Sequence, residues 1–259
     1  MTNDIILMKL GGSLLTNKRS QTPICHDNNI KRIANIISKS DKKIIIVHGA
    51  GSYAHPIVKK YNINNGFDGT KTQKKAIIKA RNQVRDLNGI LCKEINKTRH
   101  KCESVVPSQS MEINDNKEII NLPKEAFDKI LSKGKIAVTF GDIVNIGSEN
   151  VGILSGDTLL MKLAQVYKPK RTFFIMDYPG VVKGDLKSEE LEIYKEINSK
   201  FIENKSITKD ESRPDVTGGL LNKIRCALEI SKATECWISG LDNLEDCMEG
   251  RPKGTRVIL

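Results

Sequence analysis

The segment IILMKLGGSLL, residues 5–15, joins a nearly continuous apolar run to a glycine pair. An apolar run of this kind is typical of a strand buried on both faces, and it predicts a β-strand over Ile5–Leu10. Gly11 and Gly12 predict a tight turn after that strand, where backbone amides can approach an anion because glycine carries no Cβ. Lys9 adds a positive charge beside the turn. The segment therefore predicts a buried strand that ends at a site for an anion.

Strands of the same kind alternate with amphipathic helices along the rest of the chain. Further strands are predicted over Lys43–Val47, Ser104–Val106, Ile136–Phe140, Thr172–Met176, Glu235–Ile238 and Arg256–Leu259. Helices are predicted over Lys71–Lys101, Lys124–Leu131, Asp157–Tyr167, Leu220–Ser231 and a segment that contains Ile30 and Ile37 and is capped by Asp27. This order predicts an α/β protein, an αβα sandwich with a central, mainly parallel sheet. We place a boundary near Lys170, between an amino-terminal lobe, 1–170, and a carboxy-terminal lobe, 171–259, of one compact unit.

Further glycine-containing segments follow the first. The motif HGAGSYAH, residues 48–55, comes after the second strand, and DVTGG, residues 215–219, opens a late helix. Gly141-Asp142 and the motif SGD, residues 155–157, bracket a predicted loop after a later strand. Ligands of open parallel sheets bind where strands end and the chain turns into helices. Neither the Walker nor the dinucleotide-binding glycine pattern is present, which argues against a Rossmann dehydrogenase.

The composition narrows the class of protein and of partner. The formal net charge is +11, but Lys and Arg are spread along the chain and aromatic residues make up only 5%. This pattern favours a phosphate-bearing small molecule over nucleic acid as the partner. Six cysteines without a Cys-x-x-Cys pair indicate free thiols rather than a metal site. No apolar run approaches the roughly 18 residues of a membrane span, so we expect a soluble, cytoplasmic protein without a membrane partner.

The order and spacing of these motifs resemble the amino acid kinase family over nearly the whole chain. The segments that carry the resemblance are KLGGS at 9–13, the glycine turn after the second strand, Gly141-Asp142, SGD at 155–157 and TGGLLNK at 217–223. The resemblance implies a carbamate kinase-like fold, with an acceptor in the amino-terminal lobe and a nucleotide in the carboxy-terminal lobe. Within the family, HGAGSYAHP at 48–56 and Lys18, nine residues after Lys9, are similar to the isopentenyl phosphate kinases.

That subgroup implies ATP-dependent phosphorylation of isopentenyl phosphate to isopentenyl diphosphate, in isoprenoid biosynthesis by a modified mevalonate route. It also implies a homodimer. By the resemblance, Lys9 and Lys223 would hold the transferring phosphoryl group and the ATP phosphates, and Lys18 would stabilise the transition state. Asp157 would position the lysines, and His55 would bind the acceptor phosphate. Mg²⁺ is expected to bind the ATP phosphates and water, and we predict no protein ligand for a metal.

The remaining candidate contacts follow from the same resemblance. For the acceptor they are Gly49, Ala50, Gly51, Gly156 and Val84. For ATP they are Gly11, Gly12, Ser13, Gly51, Asp177, Asp215, Thr217 and Gly218. The apolar stripe around Val84 is a candidate wall for the isopentenyl tail. Asn82, Gln83 and Asn88 on the same helix are predicted to face water, and His48 is predicted to pack or cap locally.

Two positions depart from the subgroup, and alternatives stay open. Ala54 replaces the usual glycine beside the acceptor phosphate, and Pro179 replaces the second carboxylate of an Asp-x-Asp-Gly turn. The alternatives are a kinase of another phosphate or phosphonate (uridylate-like or fosfomycin-like), a carboxylate kinase of the acetylglutamate type, a non-catalytic nucleotide-binding protein on the same fold, and a basic nucleic-acid binder.

Overall fold

A computed structural model of the chain describes residues 5–17, 19–184, 191–203 and 219–259. The strands in these ranges are β1 (Ile5–Leu10), β2 (Lys43–His48), β3 (Cys102–Ser104), β4 (Glu112–Ile113), β5 (Ile119–Asn121), β6 (Ile136–Phe140), β7 (Asp142–Ile146), β8 (Asn150–Leu154), β9 (Arg171–Met176), β10 (Glu196–Ile197), β11 (Glu235–Gly240) and β12 (Thr255–Val257). The helices are α1 (Gly12–Leu15), α2 (Asp27–Ile37), α3 (His55–Lys60), α4 (Lys71–Asn96), α5 (Pro107–Ser110), α6 (Lys124–Ser132), α7 (Gly156–Tyr167), α8 (Ser199–Glu203), α9 (Gly219–Ser231) and α10 (Leu244–Met248).

The central sheet has the strand order β10-β12-β11-β9-β1-β2-β6-β3. The six strands from β11 to β3 are parallel to one another, whereas β12 pairs antiparallel to β11. The prediction of a mainly parallel sheet is therefore confirmed. Since parallel strands end at the same edge, the segments that follow β1, β2, β6 and β9 meet there.

Helices cover both faces of this sheet, which confirms the αβα sandwich. On one face, Met8 of β1 packs with α2, α3 and α4 in an apolar cluster that we call the α4-side core. On the other face, Leu7 packs with α6, α7 and α9 in the α7-side core. Side chains of a strand alternate between faces, so neighbours in sequence enter different cores. The sheet continues across residue 170 because β1 pairs with β9, and the division into two lobes stays a prediction.

A small second sheet, β5-β4-β7-β8, was not predicted. Its strands β7 and β8 form an antiparallel hairpin over Asp142–Leu154, where we predicted a loop between Gly141 and Ser155. The hairpin's inward side chains enter both cores: Ile143 packs in the α4-side core, whereas Val144 and Leu154 pack in the α7-side core. The two strands are too short to give a strong sequence pattern, and burial of their side chains is what stabilises them.

Several predicted boundaries and exposures were wrong. Strand β3 ends at Ser104, where the prediction began, and α4 ends at Asn96 rather than Lys101. Asp27 is the first residue of α2 instead of its cap. Asn88 does not face water: it is buried, and its Nδ2 donates to Ser104 Oγ at 2.6 Å. A tertiary hydrogen bond offsets the cost of burying the amide, and helical periodicity does not reveal such a partner.

The cysteines of the described ranges are largely buried. All six cysteines are free thiols: Cys102, Cys226, Cys236 and Cys247 are buried, as expected of small apolar side chains, whereas Cys25 and Cys92 are half-buried. Within the same ranges, no helix combines the length and the apolar character that crossing a lipid bilayer requires.

Candidate active site

The glycine turns lie side by side at the carboxyl edge of the sheet. Each turn begins with a hydrogen bond to the neighbouring strand. Gly11 N donates to Ile175 O at 2.8 Å, Gly49 N donates to Leu10 O at 3.0 Å, and Gly141 N donates to His48 O at 3.0 Å. These bonds extend the parallel ladders by one residue and so fix the heights of the three turns relative to each other.

The first two turns touch backbone to backbone. A Cβ on Gly12 would lie 2.7 Å from Gly51 N, and a Cβ on Gly49 would lie 2.7 Å from Gly12 N. Real side chains do not approach a backbone atom this closely, so both positions require glycine. The sequence predicted tight turns here, and the structure adds that they pack against each other.

Thr16 and Ser52 tie these turns together, and sequence reasoning missed both. Thr16 Oγ1 donates to Gly12 O at 2.8 Å and accepts from Ser52 N at 3.0 Å. Thr16 is fully buried. The only signal in the sequence is a hydroxyl four residues after a helical glycine, which is common in helices without a function.

A set of backbone N–H groups at this edge makes no hydrogen bond within the described part of the chain. They belong to Gly12, Ser13, Ala50, Gly51, Gly156 and Asp157. Unbonded amides that converge on one place form a site for an anion, because each N–H carries a partial positive charge.

Charged side chains complete the site from the α7 face of the sheet. Lys9 pairs with Val47 and Phe174 on the adjacent strands, and its ammonium reaches the start of α7. Lys9 Nζ lies 2.5 Å from Asp157 Oδ1, and the same oxygen accepts from Lys223 Nζ at 3.3 Å. The Lys223 ammonium also lies 5.4 Å from the centroid of the Phe174 ring. Three elements, β1, α7 and α9, thus deliver one cluster of two cations and one anion.

Burial and mutual charge shift the pKa values of Lys9 and Asp157. Lys9 is 8% exposed and Asp157 is 4% exposed. Burial lowers the pKa of Lys9 to about 8, although Asp157 acts in the opposite direction. Burial would raise the pKa of Asp157, but Lys223 and Lys9 hold the pKa of its carboxyl below the usual value. At neutral pH the carboxylate is ionised, and the cluster offers a net positive charge to a phosphate.

Other predicted residues border the same edge. A Cβ on Gly156 would meet Lys9 Cε at 3.1 Å, which places that glycine directly against the lysine. Ser13 Oγ donates to Asp177 Oδ1 at 3.0 Å and so connects the turns after β1 and β9. His55 begins α3, after the turn that carries Gly51, and is partly buried.

Some predicted site residues are not assembled with this set. Val84 is buried in the α4-side core with 1% exposure. Lys18, Asp215, Thr217 and Gly218 lie outside the described residues, and their roles stay predictions.

The two departures from the resembling subgroup differ in consequence. Ala54 has a φ of −132°, outside the left-handed region, so its Cβ causes no backbone strain. Pro179 lies against Gly240, where a Cβ on that glycine would come within 3.0 Å of Pro179 Cα. With proline at position 179, the carboxylate that remains in the turn after β9 is that of Asp177.

The described residues contain no group of three or more His, Cys, Asp or Glu side chains that could hold a metal ion. The most buried acid of the site, Asp157, already binds two lysines. Asp157 is therefore a poor candidate for a direct metal ligand.

The amino acid kinase family matches residues 4–239 of this chain. The chain is 27% identical over 265 residues to an isopentenyl phosphate kinase of Methanothermobacter thermautotrophicus, covering 98% of both chains. It is 27% identical over 252 residues to an acetylglutamate kinase of Endomicrobium trichonymphae, covering 92% of this chain and 93% of that protein. A solved isopentenyl phosphate kinase structure matches with a TM-score of 0.83 and 25% identity, covering 98% of this chain and 99% of the other. Because the family match extends over most of its length, this protein belongs to the amino acid kinase family.

Proposed function

We propose that this protein transfers the γ-phosphoryl group of ATP to isopentenyl phosphate, giving isopentenyl diphosphate and ADP. The observation that carries the proposal is the cluster of Lys9, Asp157 and Lys223 beside unbonded amides at one sheet edge. The similarity to isopentenyl phosphate kinases over nearly the full length of both chains supports the choice of substrate.

The site supplies what phosphoryl transfer between two phosphates demands. The acceptor phosphate is already anionic near neutral pH, so its oxygen can attack without a strong general base. The main barriers are repulsion between two anions and the need for in-line alignment. Lys9 and Lys223 would offset the repulsion, and Asp157 would hold both ammonium groups through charge-assisted hydrogen bonds. The amides of Gly12 and Ser13 would face the group in transfer.

The acceptor would bind at the turn after β2. Unbonded amides of Ala50 and Gly51 would receive its phosphate, and the His55 imidazole would add a charge-assisted hydrogen bond. A carboxylate carries one negative charge, whereas a phosphate carries up to two and gains more from the His55 imidazole. His55 therefore favours a phosphate acceptor over acetylglutamate. Lys18 would stabilise charge on the moving phosphoryl group.

The isopentenyl tail requires a dry wall above these turns. Val58 of α3, Val84 of α4 and Ile143 of the β7–β8 hairpin belong to one apolar cluster. These side chains are buried against one another, so we propose that the tail lies against the outer margin of this part of the α4-side core. Each CH₂ of the tail removed from water there would contribute about 0.8 kcal/mol.

Mg²⁺, a homodimer and a cytoplasmic location complete the proposal. Asp157 is already bound by Lys9 and Lys223 and so is not available as a metal ligand. Mg²⁺ would therefore bind mainly to the phosphates of ATP and to water, and would neutralise part of the phosphate charge. Chelation by EDTA should abolish turnover, and added Mg²⁺ should restore it. Light scattering of the purified chain should give twice the monomer mass of 28.9 kDa.

The decisive experiment compares acceptors in a coupled assay of ADP release. Isopentenyl phosphate should give the highest kcat/KM, above uridylate, fosfomycin and acetylglutamate. Turnover of acetylglutamate or uridylate with isopentenyl phosphate inert would refute the proposal. ATP binding without turnover of any acceptor would favour a non-catalytic protein, and competition of RNA with ATP would favour a nucleic-acid binder.

A further inference from the structure

His48, the last residue of β2, is fully buried on the face of the sheet opposite Lys9. It pairs with Leu10 and Phe140, which both belong to the α4-side core. Its ring stacks on Phe140 with 5.1 Å between centroids and an interplanar angle of 30°. His48 therefore does not touch the lysine cluster, although it immediately precedes the acceptor turn.

The hydrogen bonds of the ring define its protonation. Burial lowers the pKa of His48 to about 4, against smaller opposing effects of Gly49 and Asn88, so the ring is neutral at pH 7. His48 Nδ1 lies 3.1 Å from the Gly49 carbonyl oxygen. A carbonyl only accepts, so Nδ1 carries the proton and Nε2 carries the lone pair. Nε2 is buried and has no hydrogen-bond partner among the described residues.

This bond acts on the peptide that joins Gly49 to Ala50. Among the described residues no peptide bond is cis, so the Gly49 C=O and the Ala50 N–H point in opposite directions from one plane. Gly49 has no side chain that would restrict rotation of this peptide. Ala50 N–H makes no hydrogen bond within the described part of the chain. Whatever holds the carbonyl thus also sets the direction of the free N–H.

We propose that His48 is a positioning residue for the acceptor: its Nδ1–H holds the Gly49 carbonyl and thereby aims the Ala50 N–H at the acceptor phosphate. The inference rests on the proposed function for the identity of that phosphate. The orientation of the peptide and the tautomer of the ring are properties of the protein without substrate.

Two variants of the full chain separate positioning from packing. His48→Phe keeps an aromatic ring against Phe140 and removes the donor, whereas His48→Asn places an amide N–H near the position of Nδ1. We expect His48→Phe to raise the KM for isopentenyl phosphate about tenfold, the effect of one lost hydrogen bond, with the KM for ATP within about twofold. His48→Asn should recover most of the loss. An unchanged acceptor KM in His48→Phe, or equal effects on both substrates without recovery in His48→Asn, would overturn the proposal.

The tautomer can be measured independently of activity. In a sample with ¹⁵N-labelled histidine, the four imidazoles give separate ring nitrogen signals, and the one lost in His48→Phe identifies His48. We expect a protonated Nδ1 and an unprotonated Nε2 at pH 7. A protonated Nε2 would contradict the inference even if the enzyme is active. Wild-type protein inert towards isopentenyl phosphate would instead refute the proposed function, whereas the spectrum tests the bond from Nδ1–H to the Gly49 carbonyl in either case.

Discussion

Lys9 Nζ lies 2.5 Å from Asp157 Oδ1 although 148 residues separate them in the chain. The same oxygen accepts from Lys223 at 3.3 Å, so one carboxylate aligns two ammonium groups. All three side chains are largely buried, with Lys223 at 13% side-chain exposure. A buried cluster of this kind costs free energy to form and gives in return a fixed arrangement of charge.

Replacing the shared carboxylate tests this arrangement. Asp157→Asn should lower kcat/KM by about 100-fold or more, because neither lysine is then held for phosphate binding. It should also lower the free energy of unfolding by about 3 kcal/mol, since two buried ammonium groups lose their counter-charge. Urea denaturation and steady-state kinetics measure the two effects. The matched control is Asp242→Asn, which breaks an exposed ion pair with Arg32 and should cost at most about 1 kcal/mol. Equal behaviour of the two variants would speak against a functional cluster.

The lowered pKa of Lys9 predicts an alkaline limit to catalysis. Lys9 must be protonated to bind phosphate, and its pKa is lowered to about 8. kcat/KM should therefore fall as pH rises through about 8, while substrate phosphates, with a second pKa near 6, are already ionised there. Bound phosphates raise the pKa of Lys9, so kcat should fall at a higher pH. In Lys9→Arg the decrease should move beyond pH 10 at lower overall activity. A wild-type profile that stays flat to pH 10 would exclude Lys9 as the titrating group.

The contact between the two glycine turns predicts a strict requirement at Gly12. Gly12→Ala would bring a Cβ to 2.7 Å from Gly51 N, a backbone atom that cannot rotate away. We expect a loss of about 1–3 kcal/mol in stability from the forced separation. We also expect kcat/KM to fall by tenfold or more, since displacement of catalytic groups by about 1 Å is costly. The control is Gly89→Ala in α4, where nothing lies within 4 Å of the new Cβ. It should keep full activity and gain about 0.5–1 kcal/mol from higher helix propensity.

His55 is predicted to act on the acceptor alone. His55→Ala should reduce kcat/KM for isopentenyl phosphate by about 10 to 100-fold, because a charge-assisted hydrogen bond to phosphate is lost. The KM for ATP should stay within about twofold. His100→Ala is a suitable control, since that residue precedes β3 at the opposite edge of the sheet and bonds to Ser40 O. If His55→Ala retains wild-type kinetics, the resemblance has assigned the acceptor residue wrongly.

Much of the fold could be predicted from residue pattern because the strands of the central sheet are buried on both faces. Strands β1, β2, β6, β9 and β11 lie within two residues of their predicted bounds. The β7–β8 hairpin was missed because each of its short strands becomes stable only when it packs against α4 and its partner. Asn88 was placed in water because polarity alone does not reveal that Ser104 accepts its N–H.

Local sequence is enough to predict where the chain turns and which residue types stand at those turns. A turn can be recognised from adjacent residues, namely an apolar run followed by glycine, because local conformational preference is enough to predict it. The folded chain was needed to show that Lys9 and Lys223 donate to the same Asp157 oxygen and that His48 lies on the face of the sheet opposite Lys9. Strand pairing between distant segments places these groups, and such pairing follows from burial over the whole chain rather than from any short stretch of it.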